Sequence, residues 1–346
     1  MNKNTTTLKD VAQESGFSVM TVSNVLNGKK LNHASPKSRA LIEEAARRLN
    51  YRPNLNARQL VTRQSNRIGL LIDVNSPMFY RDVMLNLEPL AFADELRLQV
   101  GFVHGTFDSL KQYIEDFRGS GIDSVVCLAH AYPGFGEQVP ALLEEFEHVV
   151  FMEQPLAPTP HPVVAADHYQ NYHNAITEMF KRGYRRIFSF RSDYRDCAYT
   201  ESLRGMRDAY RESGVAFREE FWWPCTTEWW HDYESTAAEL KRIIPEKPDV
   251  LIVGNDESMF WTLRALRDMH LNVPDDIALF SAELWRYGWS AIPSFSGFDY
   301  NAPELAQKIM GQLHNARRAR SRSGSRELIP SKIVWGESCP EKTPKS

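Results

Sequence analysis

Apolar positions in the first 50 residues recur at helical spacing, in three short segments. The run TLKD at 7–10 is a capping box, because the Thr7 hydroxyl can accept from the Asp10 N–H while the Asp10 carboxylate favours the helix N-terminus. This pattern predicts a first helix over 8–15 that Gly16 ends in a left-handed conformation. Ser18 then caps a second helix over 19–26.

The two short helices have the spacing of a helix-turn-helix. The apolar side chains that face one another across the turn are Val11, Ala12, Val22, Val25 and Leu26. A third helix begins at Ser35-Pro36 and continues to Asn50. Its predicted apolar face consists of Leu41, Ile42, Ala45, Ala46 and Leu49. The alternative is a helical hairpin used only for packing. The segment 54–60 is too short to be a stable helix alone, so we expect it to fold only on a partner.

From residue 67 onward, short apolar runs alternate with helical patterns. The predicted strands lie at 68–74, 98–103, 125–128, 149–152, 186–190, 250–254 and 277–281. The predicted helices lie at 169–182, 200–213, 232–243 and 256–269. Such alternation gives parallel, doubly wound sheets. The expected fold is therefore an all-α head followed by an α/β body of two doubly wound parallel-sheet lobes.

The net charge of −3 conceals two oppositely charged parts. Residues 1–67 contain 12 Lys plus Arg against 4 Asp plus Glu, so the rest of the chain is acidic. A basic segment on an acidic body is typical of a polyanion-binding head. The overall composition is that of a globular protein, with 42% hydrophobic and 25% charged residues. The four cysteines are widely spaced and indicate neither a zinc cage nor a disulfide framework.

The sequence resembles the LacI/GalR family of bacterial transcription regulators. The matching runs are TLKDVAQESGFSVMTVSNVLNG at 7–28, SPKSRALIEEAARRLNYRPN at 35–54, ARQL at 57–60 and NRIGLLID at 66–73. The resemblance implies a helix-turn-helix DNA-binding domain over 1–53, a hinge helix and linker over 54–66, and a periplasmic-binding-protein-like body over 67–346 for effector binding and dimerisation. Its N-terminal lobe would comprise 67–165 and 296–325, and its C-terminal lobe 166–295 and 326–340.

The resemblance also implies that paired hinge helices enter the minor groove, with Leu60 wedged into the central base step. The residues expected to contact DNA are Thr7, Ser18, Val19, Met20, Thr21, Ser23, Asn24, Asn27, Asn56, Ala57, Arg58 and Leu60. Asn24 departs from the family, which commonly has arginine there. A guanine or phosphate contact is therefore missing, which puts the usual operator consensus in doubt.

Ligands of open α/β sheets bind beyond the carboxyl ends of strands, here in a cleft between two lobes. Residues 73–79 resemble the family's D-x-S-N-P-F-F, and similar strand-end positions follow LIVG and ALFSA. The expected effector-binding residues are Ser76, Phe79, Arg191, Ser202, Trp229, Trp230, Asn255 and Glu283. For each strand-end polar residue, a helix cap or a turn former is the alternative interpretation.

Two departures from the family affect this cleft. Ser202 stands where the family has a ligand-binding arginine, so the usual guanidinium clamp is missing there. Arg191 or Arg195 can reach the cleft instead, and a surface position is the alternative for either. Residues 222–223 and 229–230 hold four of the eight tryptophans. Aromatic platforms suit sugar rings, while core packing or dimer contact accounts equally well for most of these side chains.

The sequence predicts a homodimeric transcriptional regulator, in the first instance a repressor, that binds a near-palindromic operator. A small-molecule effector, with a carbohydrate as the favoured class, would control operator affinity allosterically. Two alternatives stay open: a regulator controlled by a protein partner in place of a small molecule, and a cytoplasmic solute-binding protein.

No enzyme is predicted, because the sequence lacks G-x-S-x-G, a P-loop, a helix-opening G-x-G-x-x-G and H-E-x-x-H. We expect no cofactor, no metal and no membrane partner. An apolar signal region and a membrane-length apolar run are both absent from the sequence. We therefore expect a location in the bacterial cytoplasm, on the nucleoid when DNA is bound.

Overall fold

The computed structural model describes residues 6–26, 34–52, 65–76, 78–128, 132, 134–192, 196–225, 232–319 and 324–342. Contacts divide the chain into two compact units, Met1–Gln64 and Ser65–Ser346, which we name the head and the body. Within the described ranges, no helix is long and apolar enough to cross a membrane.

Three helices form the described part of the head, namely α1 (Leu8–Ser15), α2 (Val19–Leu26) and α3 (Pro36–Arg48). The predicted bounds of α1 and α2 are confirmed. The predicted capping box is also present, since the Thr7 N–H donates to Asp10 Oδ2 at 2.7 Å and the Asp10 N–H donates to Thr7 Oγ1 at 3.4 Å. Gly16 ends α1 at φ +74°, a conformation that residues with a Cβ rarely adopt.

The head has a small core between its helices. The buried side chains are Val11, Ala12, Val22, Val25, Ile42, Ala45 and Ala46. The prediction that Leu41 belongs to this core is wrong, because its side chain is 49% exposed. Successive residues of a helix point about 100° apart, so burial of Ile42 turns Leu41 toward solvent. Because the three helices are short, the head core takes in only a narrow stripe of α3 that includes Ala45 and Ala46.

The described part of the body contains twelve strands and eight helices. The strands are β1 (Arg67–Asp73), β2 (Arg97–Val103), β3 (Ser124–Cys127), β4 (His148–Met152), β5 (Val163–Ala166), β6 (Ile187–Ser192), β7 (Trp222–Cys225), β8 (Val250–Val253), β9 (Ala278–Ser281), β10 (Ser296–Asp299), β11 (Arg326–Ile329) and β12 (Lys332–Val334). The helices are α4 (Met78–Ala93), α5 (Phe107–Gly119), α6 (Val139–Leu143), α7 (His168–Lys181), α8 (Cys197–Glu212), α9 (Tyr233–Ile243), α10 (Asp256–Asp268) and α11 (Ala302–Ala319).

These strands form two six-stranded sheets, each the centre of one lobe. The first sheet has the order β11-β5-β4-β3-β1-β2, and all its neighbouring strands are parallel. The second has the order β12-β10-β9-β8-β6-β7, in which β12 alone is antiparallel to its neighbour. The expected fold class, an all-α head with two doubly wound lobes, is confirmed.

The expected lobe limits near the C-terminus need correction. Residues 296–299 were expected in the N-terminal lobe, but β10 pairs with β9 in the second sheet. Residues 326–329 were expected in the C-terminal lobe, but β11 pairs with β5 in the first sheet. The pairing partners of such four-residue strands are not encoded in the local pattern of apolar residues. The sequence pattern also did not predict β5, β7, β10, β11 and β12.

Two helices of the second lobe pack closely because one of them carries a glycine. A Cβ on Gly205 in α8 would lie 2.3 Å from the carbonyl oxygen of Tyr169 in α7. The buried stripe of α8 has small side chains at its contact positions, namely Ser202, Gly205 and Ala209. The close approach of these two helices therefore depends on the absence of a side chain at residue 205.

We expect Gly205→Ala to lower the free energy of unfolding of the body by about 1–3 kcal/mol, the usual cost of overpacking. Gly311→Ala in α11 is the matched control, because no described atom lies within 4 Å of its Cβ position. Alanine there is expected to be neutral or to stabilise by up to about 1 kcal/mol. Urea unfolding followed by circular dichroism measures both, and equal midpoints for the two variants would contradict the close packing.

Candidate DNA-binding face and effector cleft

The exposed face of α2 is the candidate DNA-binding face of the head. Met20 is 77% exposed and Val19 is 41% exposed, whereas Val22 and Val25 are buried in the head core. One side of α2 is therefore held by packing while the other side is open. The major groove of DNA is wide enough to admit a helix that presents such an open face.

Three of the expected DNA-contact residues also maintain the helices. The Thr21 N–H donates to Ser18 Oγ at 3.1 Å, and the two hydroxyl oxygens are 2.8 Å apart. Thr7 caps α1, and hydrogen bonds from its N–H and hydroxyl hold the pKa of Asp10 below its ordinary value. Such capping fixes the hydroxyl groups of Ser18, Thr21 and Thr7 in defined positions at the helix N-termini.

Ser23 and Asn24 are half-buried on α2. The remaining expected DNA contacts lie outside the described residues, namely Asn27, Asn56, Ala57, Arg58 and Leu60. The minor-groove wedge therefore stays a prediction from the sequence.

In the body, groups from both sheets converge on Tyr80 in α4. Burial raises the pKa of Tyr80 well above its ordinary value. The nearby carboxylates of Glu153, Glu283 and Asp196 raise this pKa further. Glu153 follows β4 of the first sheet, whereas Glu283 follows β9 of the second. Glu153 and Glu283 each follow the carboxyl end of a strand, which is where open α/β sheets bind ligands, so we take this region as the candidate effector cleft.

Glu153 is held by two hydrogen-bonding groups. Its Oε1 accepts from the Ala166 N–H at 3.1 Å, and its Oε2 is 2.8 Å from His168 Nε2. Its backbone has φ +67°, a left-handed conformation that is uncommon for a residue with a side chain. Strain of this kind is concentrated at functional sites, where the surrounding structure holds it in place.

An aromatic group lies beside the carboxylates. The rings of Phe79 and Tyr300 stack with centroids 4.8 Å apart, and the ring of Tyr80 lies 4.2 Å from that of Phe79. The imidazole of His168 lies 6.0 Å from Tyr300. Because Phe79 is only 7% exposed, its ring packs against Tyr300 and offers little surface to a ligand.

Two polar contacts join the lobes next to the cleft. Trp285 lies in the segment after β9, and its Nε1–H donates a hydrogen bond to Asp82 Oδ2 of α4. On another side, Arg326 Nη2 of β11 lies 3.7 Å from Cys197 Sγ at the start of α8. An increase in the separation of the lobes at either place would break the contact there.

Other residues expected to bind effector have mixed environments. Asn255 caps α10, since its Oδ1 accepts from the N–H of Ser258 at 2.9 Å and from the hydroxyl of Ser258 at 2.7 Å. Ser202 is fully buried, and its Oγ has no hydrogen-bond partner within the described part of the chain. Ser76 is half-buried in the turn after β1. The side chains that lie outside the description are those of Arg191, Trp229 and Trp230.

The two neighbouring tryptophans of β7 are structural. Trp222 is 4% exposed and lies edge-on to Tyr199, with centroids 5.2 Å apart. Trp223 Nε1 donates to Glu239 Oε2 at 3.1 Å. Core packing is therefore the correct interpretation for this pair.

Sequence reasoning missed Tyr80, Glu153, Asp196 and Tyr300. Glu153 directly follows a predicted strand, so the strand-end rule that selected Glu283 would also have found it. Tyr300 follows β10, a strand that the apolar pattern did not predict, and no signal in the sequence marked it. Tyr80 adjoins the predicted Phe79, and only the folded structure shows which of these two rings faces the carboxylates.

The open face of α2 and the cleft between two sheets define a helix-turn-helix protein with a periplasmic-binding-protein-like body. Residues 7–54 match the model for bacterial regulatory proteins of the lacI family, and residues 176–339 match that for a periplasmic binding protein-like domain. The head thus carries a helix-turn-helix domain of the lacI-family type, and the body carries a periplasmic binding protein-like domain. Relatives that match most of the chain are named as transcription regulators.

Relatives with this arrangement cover nearly the whole chain. Catabolite control protein A of Priestia megaterium is 24% identical over 334 residues, with 95% of each chain covered. The repressor PurR of Photorhabdus laumondii is 24% identical over 312 residues, with 89% of each chain covered. The lac repressor dimer bound to operator and the anti-inducer ONPF has a TM-score of 0.79 at 19% identity, covering 97% of this chain and 99% of that one. The regulator CelR in complex with cellobiose has a TM-score of 0.69 at 20% identity, covering 96% and 99%.

We expect Asp82→Ala to lower the free energy of unfolding of the body by about 1–2 kcal/mol, because Trp285 Nε1 loses its acceptor across the lobes. Glu88→Ala is the matched control, since Glu88 is an exposed acidic residue of the same helix. The control should change stability by less than about 0.5 kcal/mol. Thermal unfolding at pH 7 measures both, and indistinguishable transitions would contradict a stabilising bond between the lobes.

Proposed function

We propose that a homodimer of this protein represses transcription from a near-palindromic operator, and that a carbohydrate bound in the cleft controls its operator affinity. The open face of α2 supports operator binding more than any other observation. It presents Met20 and Val19 to solvent on a helix whose other side is fixed by packing. The basic charge of residues 1–67 supplies attraction to phosphates.

An exposed apolar surface supports the homodimer. Phe260 is 45% exposed, Trp289 is 55% exposed and Ile292 is 91% exposed. The ring of Phe260 lies 5.0 Å from that of Phe295, whose N–H donates to the carbonyl of Gly288, so these two parts of the surface adjoin. Large apolar side chains that are exposed near one another mark interaction sites. We assign it to a second copy of the chain, because a near-palindrome requires two heads related by twofold symmetry.

The cleft supports a carbohydrate effector. The carboxylates of Glu153 and Glu283 are hydrogen-bond acceptors, and the hydroxyls of Tyr80 and Tyr300 both donate and accept. This combination suits a ring with several hydroxyl groups. The similar structure of CelR holds cellobiose. Among the acidic and aromatic groups described here, Asp196 at the start of α8 would contact the ligand from the second lobe.

The mechanism follows from the two lobes. An effector that contacts Glu153 of one lobe and Glu283 of the other favours a particular separation of the lobes. In a dimer, this separation changes the relative position of the two N-terminal lobes and hence the span between the two heads. An operator with fixed half-site spacing would then be bound well in one state and poorly in the other. The proposal places this regulation in the bacterial cytoplasm, where the operator lies.

We expect the purified protein, incubated with fragments of its own genome at moderate salt, to retain one or a few near-palindromic sites. Met20→Glu should weaken binding to the retained operator by about a hundredfold, since a carboxylate replaces an open side chain against the phosphates and base edges. Gln13→Glu, an exposed position on α1, is the control with the same charge change. Fluorescence anisotropy gives both affinities. Retention of DNA without sequence preference, or equal effects of the two substitutions, would count against the proposed recognition face.

We expect at least one neutral mono- or disaccharide to raise the melting temperature of the body. A ligand at a hundred times its dissociation constant stabilises the folded state by about 2.7 kcal/mol. Glu283→Gln should reduce this increase, while Glu115→Gln on the exposed face of α5 should leave it unchanged. If no sugar changes the melting temperature while the operator is still bound, control by a protein partner becomes the better explanation.

A further inference from the structure

The chain enters the body at Ser65, and one carboxylate holds it there. The Ser65 N–H donates to Asp123 Oδ2 at 3.0 Å, and Ser65 is only 5% exposed. The next residue is also fixed, since the Asn66 carbonyl accepts from the Arg97 N–H at 2.9 Å. β1 starts at Arg67, so the bond to Asp123 is made two residues before the sheet begins.

Arg317, near the end of α11, holds the same carboxylate from the other side. Arg317 Nη2 donates to Asp123 Oδ1 at 3.2 Å, and Arg317 Nε donates to Ser124 Oγ at 2.9 Å. The Ser124 hydroxyl completes the group by donating to Asp123 Oδ1 at 2.6 Å. The Asp123 and Arg317 side chains are 22% and 23% exposed, so water screens their attraction only partly. Ser65, Asp123, Ser124 and Arg317 form what we name the entry clamp.

The position of the clamp is fixed by tertiary packing. α11 has 18 residues and is therefore about 27 Å long. It buries a continuous stripe on the body, made by Leu305, Ala306, Ile309, Met310 and Leu313. Asp123 immediately precedes β3, whose first residue Ser124 is paired with Ile68 of β1. The cation and the carboxylate are thus each attached to a rigid element.

We propose that Asp123 and Arg317 are positioning residues for operator binding, which fix the point where the tether of each head leaves the body. The proposal rests on the proposed homodimer, because two half-sites at a fixed spacing require two fixed exit points. Without the clamp, the first anchored residue becomes Asn66 or Arg67, and each tether lengthens. A longer tether lowers the effective concentration of the second head once the first is bound. Tolerance for altered half-site spacing rises for the same reason.

The test uses Arg317→Met in the full chain, with the operator retained from genomic DNA as the probe. Arg318→Met is the matched control, since Arg318 is exposed, lies on the same helix end and forms no ion pair within the described ranges. We expect Arg317→Met to weaken binding to this operator about tenfold and Arg318→Met to change it less than about twofold. Arg317→Met should also discriminate less against operators lengthened or shortened by one base pair.

Two further measurements separate positioning from general loss of structure. Amide hydrogen exchange of the peptide that contains Ser65 should accelerate in Arg317→Met and not in Arg318→Met, while the melting temperature of the body changes little. Arg317→Lys should restore part of the spacing discrimination, because lysine keeps a cation beside Asp123 but cannot also bond to Ser124. If Arg317→Met fails to fold, Asp123→Ala tests the same clamp, because it removes the acceptor of the Ser65 N–H.

Some outcomes would overturn the proposal. Faster exchange at Ser65 with unchanged affinity and unchanged spacing discrimination would show that the clamp does not position the heads. Equal losses in Arg317→Met and Arg318→Met would show that charge at the end of α11 is what matters. If the wild-type protein sediments as a monomer at operator-binding concentrations, the proposed dimer and the clamp are rejected together. If it sediments as a dimer and Arg317→Met has the operator affinity and spacing discrimination of the wild type, the clamp alone is rejected.

Discussion

Parallel pairing of strands gives each sheet of the body two chemically different edges, and the functional features depend on this polarity. The carboxyl ends of β4 and β9 bring Glu153 and Glu283 to one cleft. The amino ends of β1 and β3 hold Ser65 and Asp123 at the opposite edge of the first sheet. α11 begins just after Tyr300 of the cleft and ends beside Asp123, so one helix reaches both edges.

The cleft concentrates negative charge where water is partly excluded. Such an arrangement is costly unless the carboxylates are hydrogen-bonded. Glu153 meets this requirement with the Ala166 N–H and His168, and the strained backbone of Glu153 is part of the same arrangement. A ligand hydroxyl that enters the cleft would donate to groups that are already oriented. Preorganised acceptors of this kind favour selective binding, because little further ordering is needed.

The sequence alone determined the head and the class of the body. Capping residues act over three or four positions, so TLKD and Ser18 were sufficient to predict the ends of α1 and the start of α2. Seven parallel strands of four to seven residues were also predicted, because each carries a run of apolar residues. Strand-end reasoning selected Glu283 by the same local logic, and its role in effector binding stays a prediction.

The tertiary structure decided what depends on contacts between distant segments. The four-residue strands β10 and β11 exchange lobes relative to the prediction, since strand pairing is a long-range choice. The pattern of α3 could not show that Leu41 is exposed, because the width of the head core depends on all three helices. The convergence of Glu153 and Asp196 on Tyr80, and of Arg317 on Asp123, joins residues that are 73 to 194 positions apart. Local patterns carry no information about such contacts, which arise only when the packed helices and sheets bring those segments together.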